Sequence, residues 1–155
     1  PELYAGELSR NVNMRNAIKQ AIDTGMPIVA ECGGFMYLHE SITDKDGISH
    51  PMVGVIPATC SYKGKLVRFG YVEIQENKSC FLPEGQLIKG HEFHYFDSTS
   101  NGTDFVARKP LTNRSWECIH ANENGVAGFP HMYYYSNPQM IVDFLKNCER
   151  TDEGA

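Results

Sequence analysis

The run Met26-Pro-Ile-Val-Ala-Glu-Cys-Gly-Gly-Phe-Met-Tyr-Leu-His39 constrains this chain more than any other stretch. It opens as a short apolar segment, Pro27 to Ala30, of the kind that forms a buried parallel strand. Cys32 then precedes two glycines, and Phe35, Met36 and Leu38 follow at helical spacing. A strand, a tight turn carrying a nucleophile, then a helix is the nucleophile-elbow arrangement. Glycine beside the cysteine lets the backbone bend sharply without a Cβ clash. The start of the helix leaves free N–H groups and positive partial charge near the sulfur. That field favours the thiolate, the reactive form. The Gly33 N–H points where an oxyanion would develop. The competing reading is a buried structural cysteine at a strand end, the usual fate of a free cysteine.

The surrounding segments read as an α/β chain with hairpins. Leu3 to Leu8 suits a short helical turn. Met14, Ala17, Ile18, Ala21 and Ile22 recur at helical spacing up to Thr24, with Asn11 or Asn13 as N-cap and Gly25 as stop. The helix after Cys32 is expected to fade near Glu40, before the polar loop Thr43 to Gly47. Met52 to Ile56 is an apolar run ending at Pro57, and Leu66 to Gln75 a strand interrupted by a glycine. Phe81-Leu82 and Leu87-Ile88 flank a turn at Pro83-Glu-Gly85. In Gly90 to Tyr95, alternation puts His91, Phe93 and Tyr95 on one face and Glu92 and His94 on the other. Asp104 to Arg108, Trp116 to Ile119 and Val126 to Phe129 read as further short strands, with a turn at Asn122 to Gly125. Asn137-Pro138 starts a terminal helix with an apolar face of Ile141, Val142, Phe144 and Leu145. The polar residues after Cys148 read as a frayed tail, so residues 1–148 form one domain and 149–155 a disordered end.

Composition removes several classes. The 155 residues carry a formal charge of −5 with no basic stripe, which argues against a nucleic-acid partner. No apolar run approaches the roughly 20 residues of a membrane span. The start, Pro-Glu-Leu-Tyr, has no signal-peptide pattern. Five dispersed cysteines without a CxxC pair fit a reducing, cytoplasmic setting and no structural metal. No phosphate-binding loop is present, and Gly33-Gly34 alone is too little for one.

A cysteine nucleophile needs a base that can also protonate the leaving group. His39, on the expected helix two turns past the elbow, is too distant, and His50 and His120 fall in or beside expected loops. His131 follows Gly128-Phe-Pro130 at the point where a strand gives way to a loop, the usual place for site residues in an open α/β sheet. His91 and His94 remain alternatives, although on opposite strand faces they make a poor metal pair. Tyr133, Tyr134 and Tyr135 can line a pocket, but such runs more often divide between core and rim.

Four segments in order resemble the cobyrinic acid a,c-diamide synthase family. They are Ala30-Glu-Cys-Gly-Gly-Phe-Met-Tyr-Leu38, Leu66-Val-Arg-Phe-Gly-Tyr-Val-Glu73, Gly90-His-Glu-Phe-His-Tyr95 and Phe129-Pro-His-Met-Tyr-Tyr-Tyr-Ser-Asn-Pro138. Pro1-Glu2 looks like the end of that family's glycine-rich loop. The resemblance implies a class I, triad-like glutamine amidotransferase domain. Its fold would be a flavodoxin-like three-layer α/β sandwich, truncated at the N-terminus and carrying added β-hairpins. It implies Cys32 as nucleophile and His131 as base. Gly33, Gly34, Glu92 and His94 would then belong to the oxyanion and substrate pocket, with His91 and His94 structural or pocket-shaping. The implied partners are glutamine and a tetrapyrrole acceptor, the latter reached through a synthetase domain. ATP and Mg²⁺ would belong to that absent N-terminal domain, leaving no cofactor or metal in this chain. No membrane partner is expected, and a homodimer is left open.

Two departures accompany the resemblance. Classical triads of the implied fold carry His-Pro-Glu, whose glutamate orients the imidazole, whereas here the run is His131-Met-Tyr, and the corrinoid branch that the chain resembles generally lacks that glutamate. Glu92 or a backbone carbonyl could orient His131 instead. The loop glycines that would complete the oxyanion hole would precede Pro1. Cobyric acid synthase and nickel-sirohydrochlorin a,c-diamide synthase share the implied chemistry with other acceptors. From other classes, an elbow-cysteine hydrolase, a redox sensor and an inactive docking module remain open.

Overall fold

The computed structural model describes residues 1–78, 80–112 and 114–152. A 3-10 turn at Glu2–Tyr4 leads into α1 (Ala5–Arg10) and α2 (Val12–Asp23). The Asn11 side chain caps α2 by accepting the Met14 N–H at 3.2 Å. β1 (Ile28–Glu31) follows, then Cys32, then α3 (Gly33–Tyr37). β2 (His39–Thr43), β3 (Ser49–Pro51), β4 (Ile56–Tyr62), β5 (Arg68–Glu76), β6 (Leu87–His94) and β7 (Phe96–Ser98) come next. The chain continues through β8 (Phe105–Arg108), β9 (Ser115–Cys118), β10 (His120–Asn122), β11 (Gly125–Gly128) and β12 (His131–Tyr133). A second 3-10 turn, Tyr134–Ser136, precedes α4 (Gln139–Asp152). α4 thus runs past Cys148, where the sequence reading ends the domain. Residues 153–155 of the expected tail lie outside the described residues.

The strands form three sheets. β1 pairs parallel with β11, and β10 joins β11 antiparallel. A five-stranded sheet has the order β12-β6-β5-β8-β9, and a four-stranded sheet the order β3-β2-β4-β7. This is the mixed α/β architecture with attached hairpins that the sequence indicates, with sheet predominating over helix. One core gathers Phe35, Met36, Leu38, Ile42 and Phe129 beneath the elbow. The second sets Val72, Ile74, Ile88, Phe105 and Met132 of the five-stranded sheet against Met140 of α4. Phe81 and Leu82 belong to this second core but to no strand. The buried Glu76 carboxylate accepts the N–H groups of Cys80, Phe81 and Leu82 at 2.7–2.8 Å, which folds the segment inward.

The largest local departure follows the elbow. α3 ends at Tyr37 rather than fading near Glu40, and the chain turns into β2. The loop before β4 supplies the reason. The N–H of Val53 bonds the Tyr37 carbonyl, those of Val55 and Ile56 bond the Leu38 carbonyl, and that of Gly54 bonds the His39 carbonyl. The carbonyls at the helix end are therefore satisfied from outside, so the helix needs no further turn. For the same reason Met52 to Val55 is loop, and the strand starts at Ile56.

Candidate active site

Cys32 sits between β1 and α3 with φ 46° and ψ −100°. A positive φ is uncommon for any residue but glycine and carries strain of the order of 1–3 kcal/mol. Two hydrogen bonds hold the conformation: the Cys32 N–H reaches the Gly128 carbonyl at 2.8 Å, and its carbonyl accepts the Met36 N–H at 2.9 Å. The first ties the elbow to the end of β11, three residues before His131. The backbone N–H of Gly33 lies beside the Cys32 sulfur, where it favours the charged form. Pro1 packs directly on Gly33, where an added Cβ would lie 2.6 Å from the Pro1 Cδ. Gly34 is roomier, its nearest neighbour being the Ala30 Cβ at 3.6 Å.

The thiol is not depressed as the helix-terminus argument expects. Burial pushes the Cys32 pKa up, the nearby Glu2 carboxylate adds to the rise, and the Gly33 N–H only partly opposes them. A five-residue helix supplies little field against that desolvation. The resting group is a neutral thiol, which makes a base necessary for attack. Cys32 opens on a cavity of about 490 Å³, with Glu2, Met36, Tyr62 and His94 in its walls.

His131 begins β12, which pairs antiparallel with β6 in the register His131↔His91. His91 in turn faces Tyr71 of β5, so the three side chains share one sheet face. The His131 side chain is half exposed and is not among the residues lining the Cys32 cavity. Its Nδ1 lies 3.8 Å from Oε2 of Glu31, the residue immediately before Cys32. The other carboxylate oxygen, Oε1, accepts the Met132 N–H at 3.1 Å and the Tyr134 hydroxyl. Burial, reinforced by Glu31, pushes the Tyr134 phenol well above its ordinary range, so it stays a donor. One side chain thus links the elbow to the strand that carries His131.

Glu92 and His94 lie on the opposite face of β6 and are buried, as the alternation indicates. His94 bonds Glu92 Oε2 at 2.8 Å through Nε2 and faces the Phe96 carbonyl at 2.7 Å through Nδ1. Trp116 Nε1 donates to the remaining Glu92 oxygen at 3.0 Å, and the His94 ring stacks on Phe129 with centroids 3.9 Å apart. Glu92 is therefore committed to this network rather than to His131. His94 presents one edge of its ring to the Cys32 cavity.

The remaining histidines are structural. His39 is on β2, not on a helix; it is fully buried, with Nδ1 donating to the Phe35 carbonyl at 2.8 Å and Nε2 2.6 Å from Ser98 Oγ. His50 is on β3 rather than in a solvated loop and pairs with Asp44 at 2.8 Å. His120 lies in β10, against Ser100. Among the described residues no group of three His, Cys, Asp or Glu is placed to hold a metal. None of their helices is long and apolar enough to cross a membrane. Sequence reasoning pointed to Cys32, Gly33 and His131; the structure places Gly33 directly after Cys32 and His131 beside Glu31, the residue that precedes Cys32. Sequence reasoning did not single out Glu31, whose only sequence signal is adjacency to Cys32.

Residues 1–138 match the family of CobB/CobQ-like glutamine amidotransferase domains. The cobyrinate a,c-diamide synthase of Caldanaerobacter subterraneus subsp. tengcongensis is 39% identical over 151 residues, covering 96% of this chain and 33% of the relative. That of Priestia megaterium is 34% identical over 152 residues, again covering 96% and 33%. The chain therefore spans about a third of the length of the curated relatives it matches. Among solved structures, one described as a glutamine amidotransferase superposes with a TM-score of 0.61 at 16% identity, covering 93% of this chain and 72% of the other. At that identity the likeness speaks for the fold.

Proposed function

This chain belongs to the family of CobB/CobQ-like glutamine amidotransferase domains, and from that premise we propose that it is the glutamine-hydrolysing module of an amidoligase, with Cys32 as nucleophile and His131 as base and acid. The observation that carries the reading is the Cys32 backbone. A cysteine held at φ 46° between strand and helix, above a cavity, is strained for a purpose that packing does not require.

His131 takes the Cys32 proton, and the sulfur attacks the side-chain amide carbon of glutamine. The oxyanion is held by the Gly33 N–H. As the tetrahedral intermediate collapses, the carbon–nitrogen bond breaks and His131 returns the proton to the departing ammonia. A water molecule, deprotonated by His131, then hydrolyses the glutamyl thioester to glutamate and free Cys32. His94 shapes the pocket from its wall and Glu92 by fixing the His94 ring, whereas Gly34 is not among the residues lining the cavity. The names of the relatives extend this reading to the acceptor. The ammonia would serve a synthetase module that uses ATP and Mg²⁺ to activate the a and c carboxylates of cobyrinic acid or a related tetrapyrrole. A reducing, cytoplasmic setting suits the thiols Cys32, Cys60, Cys80 and Cys118.

A diazoketone analogue of glutamine tests the assignment. It should alkylate Cys32 selectively in the intact protein, and Cys32→Ala should neither be labelled nor release ammonia from glutamine. Ammonia release by Cys32→Ala at the normal rate would refute the mechanism.

A further inference from the structure

We propose that Glu31 is the positioning residue for His131, supplying from the elbow strand the carboxylate that the segment after His131 lacks. The inference rests on reading Cys32 and His131 as the reacting pair.

The two oxygens of Glu31 have separate commitments. Oε1 is held by the Met132 N–H and the Tyr134 hydroxyl, both just after His131 in sequence. Those two donors pin the carboxylate against β12 and leave Oε2 facing the imidazole Nδ1 at 3.8 Å. That separation is longer than a hydrogen bond. Catalytic hydrogen bonds are commonly long without substrate and tighten when it binds. The half-exposed ring can close the gap by a small rotation, whereas Glu31 is held in place by the two donors on Oε1 and by its peptide link to Cys32.

The alternatives are occupied. Glu92 spends both oxygens on His94 and Trp116, on the far face of β6. With Nδ1–H directed at Oε2, the neutral imidazole leaves Nε2 free to take the thiol proton. This is the role the buried aspartate has in a Ser-His-Asp triad, where changing it to the amide sets the wrong tautomer and lowers kcat about 10⁴-fold. Here the positioning carboxylate and the nucleophile are consecutive residues, so any movement of the elbow carries both.

Glu31→Gln tests the inference without removing the acceptor for Met132 and Tyr134. With its carbonyl oxygen on those donors, its amide nitrogen faces Nδ1 and imposes the Nε2–H tautomer. Nitrogen-15 NMR of the intact protein, with the His131 signals assigned through His131→Gln, should show the Nδ1–H tautomer in the parent and its loss in Glu31→Gln. The kcat for glutamine should fall by roughly 100- to 10,000-fold with KM changed less than about twofold, while Glu31→Asp recovers part of the loss. An Nε2–H tautomer in the parent, or an unchanged tautomer and kcat in Glu31→Gln, would overturn the proposal. A tautomer switch in a protein lacking Cys32-dependent glutaminase activity would sink the glutaminase reading and leave the positioning role standing.

Discussion

Gly90→Ala should slow the reaction from the far side of the sheet. Gly90 of β6 lies opposite Met132 in the antiparallel register with β12. A Cβ there would sit 2.8 Å from the His131 carbonyl oxygen and 2.8 Å from Ile74 Cδ1, where ordinary contact begins near 3.4 Å. The isoleucine tip can swing aside. The carbonyl belongs to backbone, so the three-residue strand β12 must give by about 0.6 Å, the difference between 3.4 and 2.8 Å. Overpacking of this kind costs about 1–3 kcal/mol. In a chain of this length that lowers Tm by roughly 2–12 °C. A 1 Å misplacement of a catalytic group can cost about 100-fold, so this smaller shift of His131 should lower kcat roughly tenfold. KM should change little, because Gly90 is not part of the Cys32 cavity wall. Thermal unfolding and ammonia release from glutamine measure the two effects on one preparation. Parent values of both Tm and kcat in Gly90→Ala would refute the claim that this glycine sets the position of the His131 strand.

Four further outcomes follow from the same geometry. Cys32→Gly should abolish ammonia release yet stabilise the fold by about 1 kcal/mol, since glycine adopts a positive φ without the steric cost; equal or lower stability in denaturant titration would contradict the strain. Gly34→Ala should leave Tm and kcat near parent values, because its Cβ would meet only Ala30 at 3.6 Å; a large loss would place Gly34 closer to the chemistry than its surroundings indicate. Without glutamine, iodoacetamide alkylation of Cys32 should accelerate with pH and reach half its maximum above the ordinary thiol value of about 8.5, as burial dictates; a midpoint near neutrality would reverse that reading. Burial pushes Cys60 and Cys118 from 9.0 up to about 12. Unfolded chains lose these protons first, so folding stability should fall between pH 9 and 12, by at most about 2.7 kcal/mol per pH unit for the two thiols together. A flat stability curve over that window would exclude the effect.

Much of the candidate site's local structure was legible because its signals are local. The elbow announces itself in consecutive residues: an apolar run, a cysteine and two glycines, which become β1, a positive-φ corner and α3. Period-two alternation places Glu92 and His94 on the buried face of β6 and leaves Phe93 outside. What failed depended on partners distant in sequence. His39 reads as helical because Phe35, Met36 and Leu38 continue a helical period. The helix stops because backbone N–H groups from residues 53–56 take its terminal carbonyls. No pattern within 33–40 encodes that.

Glu31 shows the same limit at the level of chemistry. A search for the partner of His131 naturally looks just beyond it, and finds Met132 and Tyr133. The carboxylate proposed for that role, Glu31, is a hundred positions upstream. It becomes a neighbour only because β1 pairs in parallel with β11, with Glu31 opposite Gly128, so the chain that leaves β11 must pass the Glu31 side chain on its way to β12. A parallel pair joined by a long crossover brings the end of one strand beside the end of the other. In this fold that geometry puts the side chain of Glu31, the residue before Cys32, beside the segment after β11 that carries His131. The charge missing from the expected position can then be supplied by the backbone topology itself. On this reasoning the reacting pair is coupled through Glu31 rather than placed independently, and a substitution that shifts β1 should disturb Cys32 and His131 together.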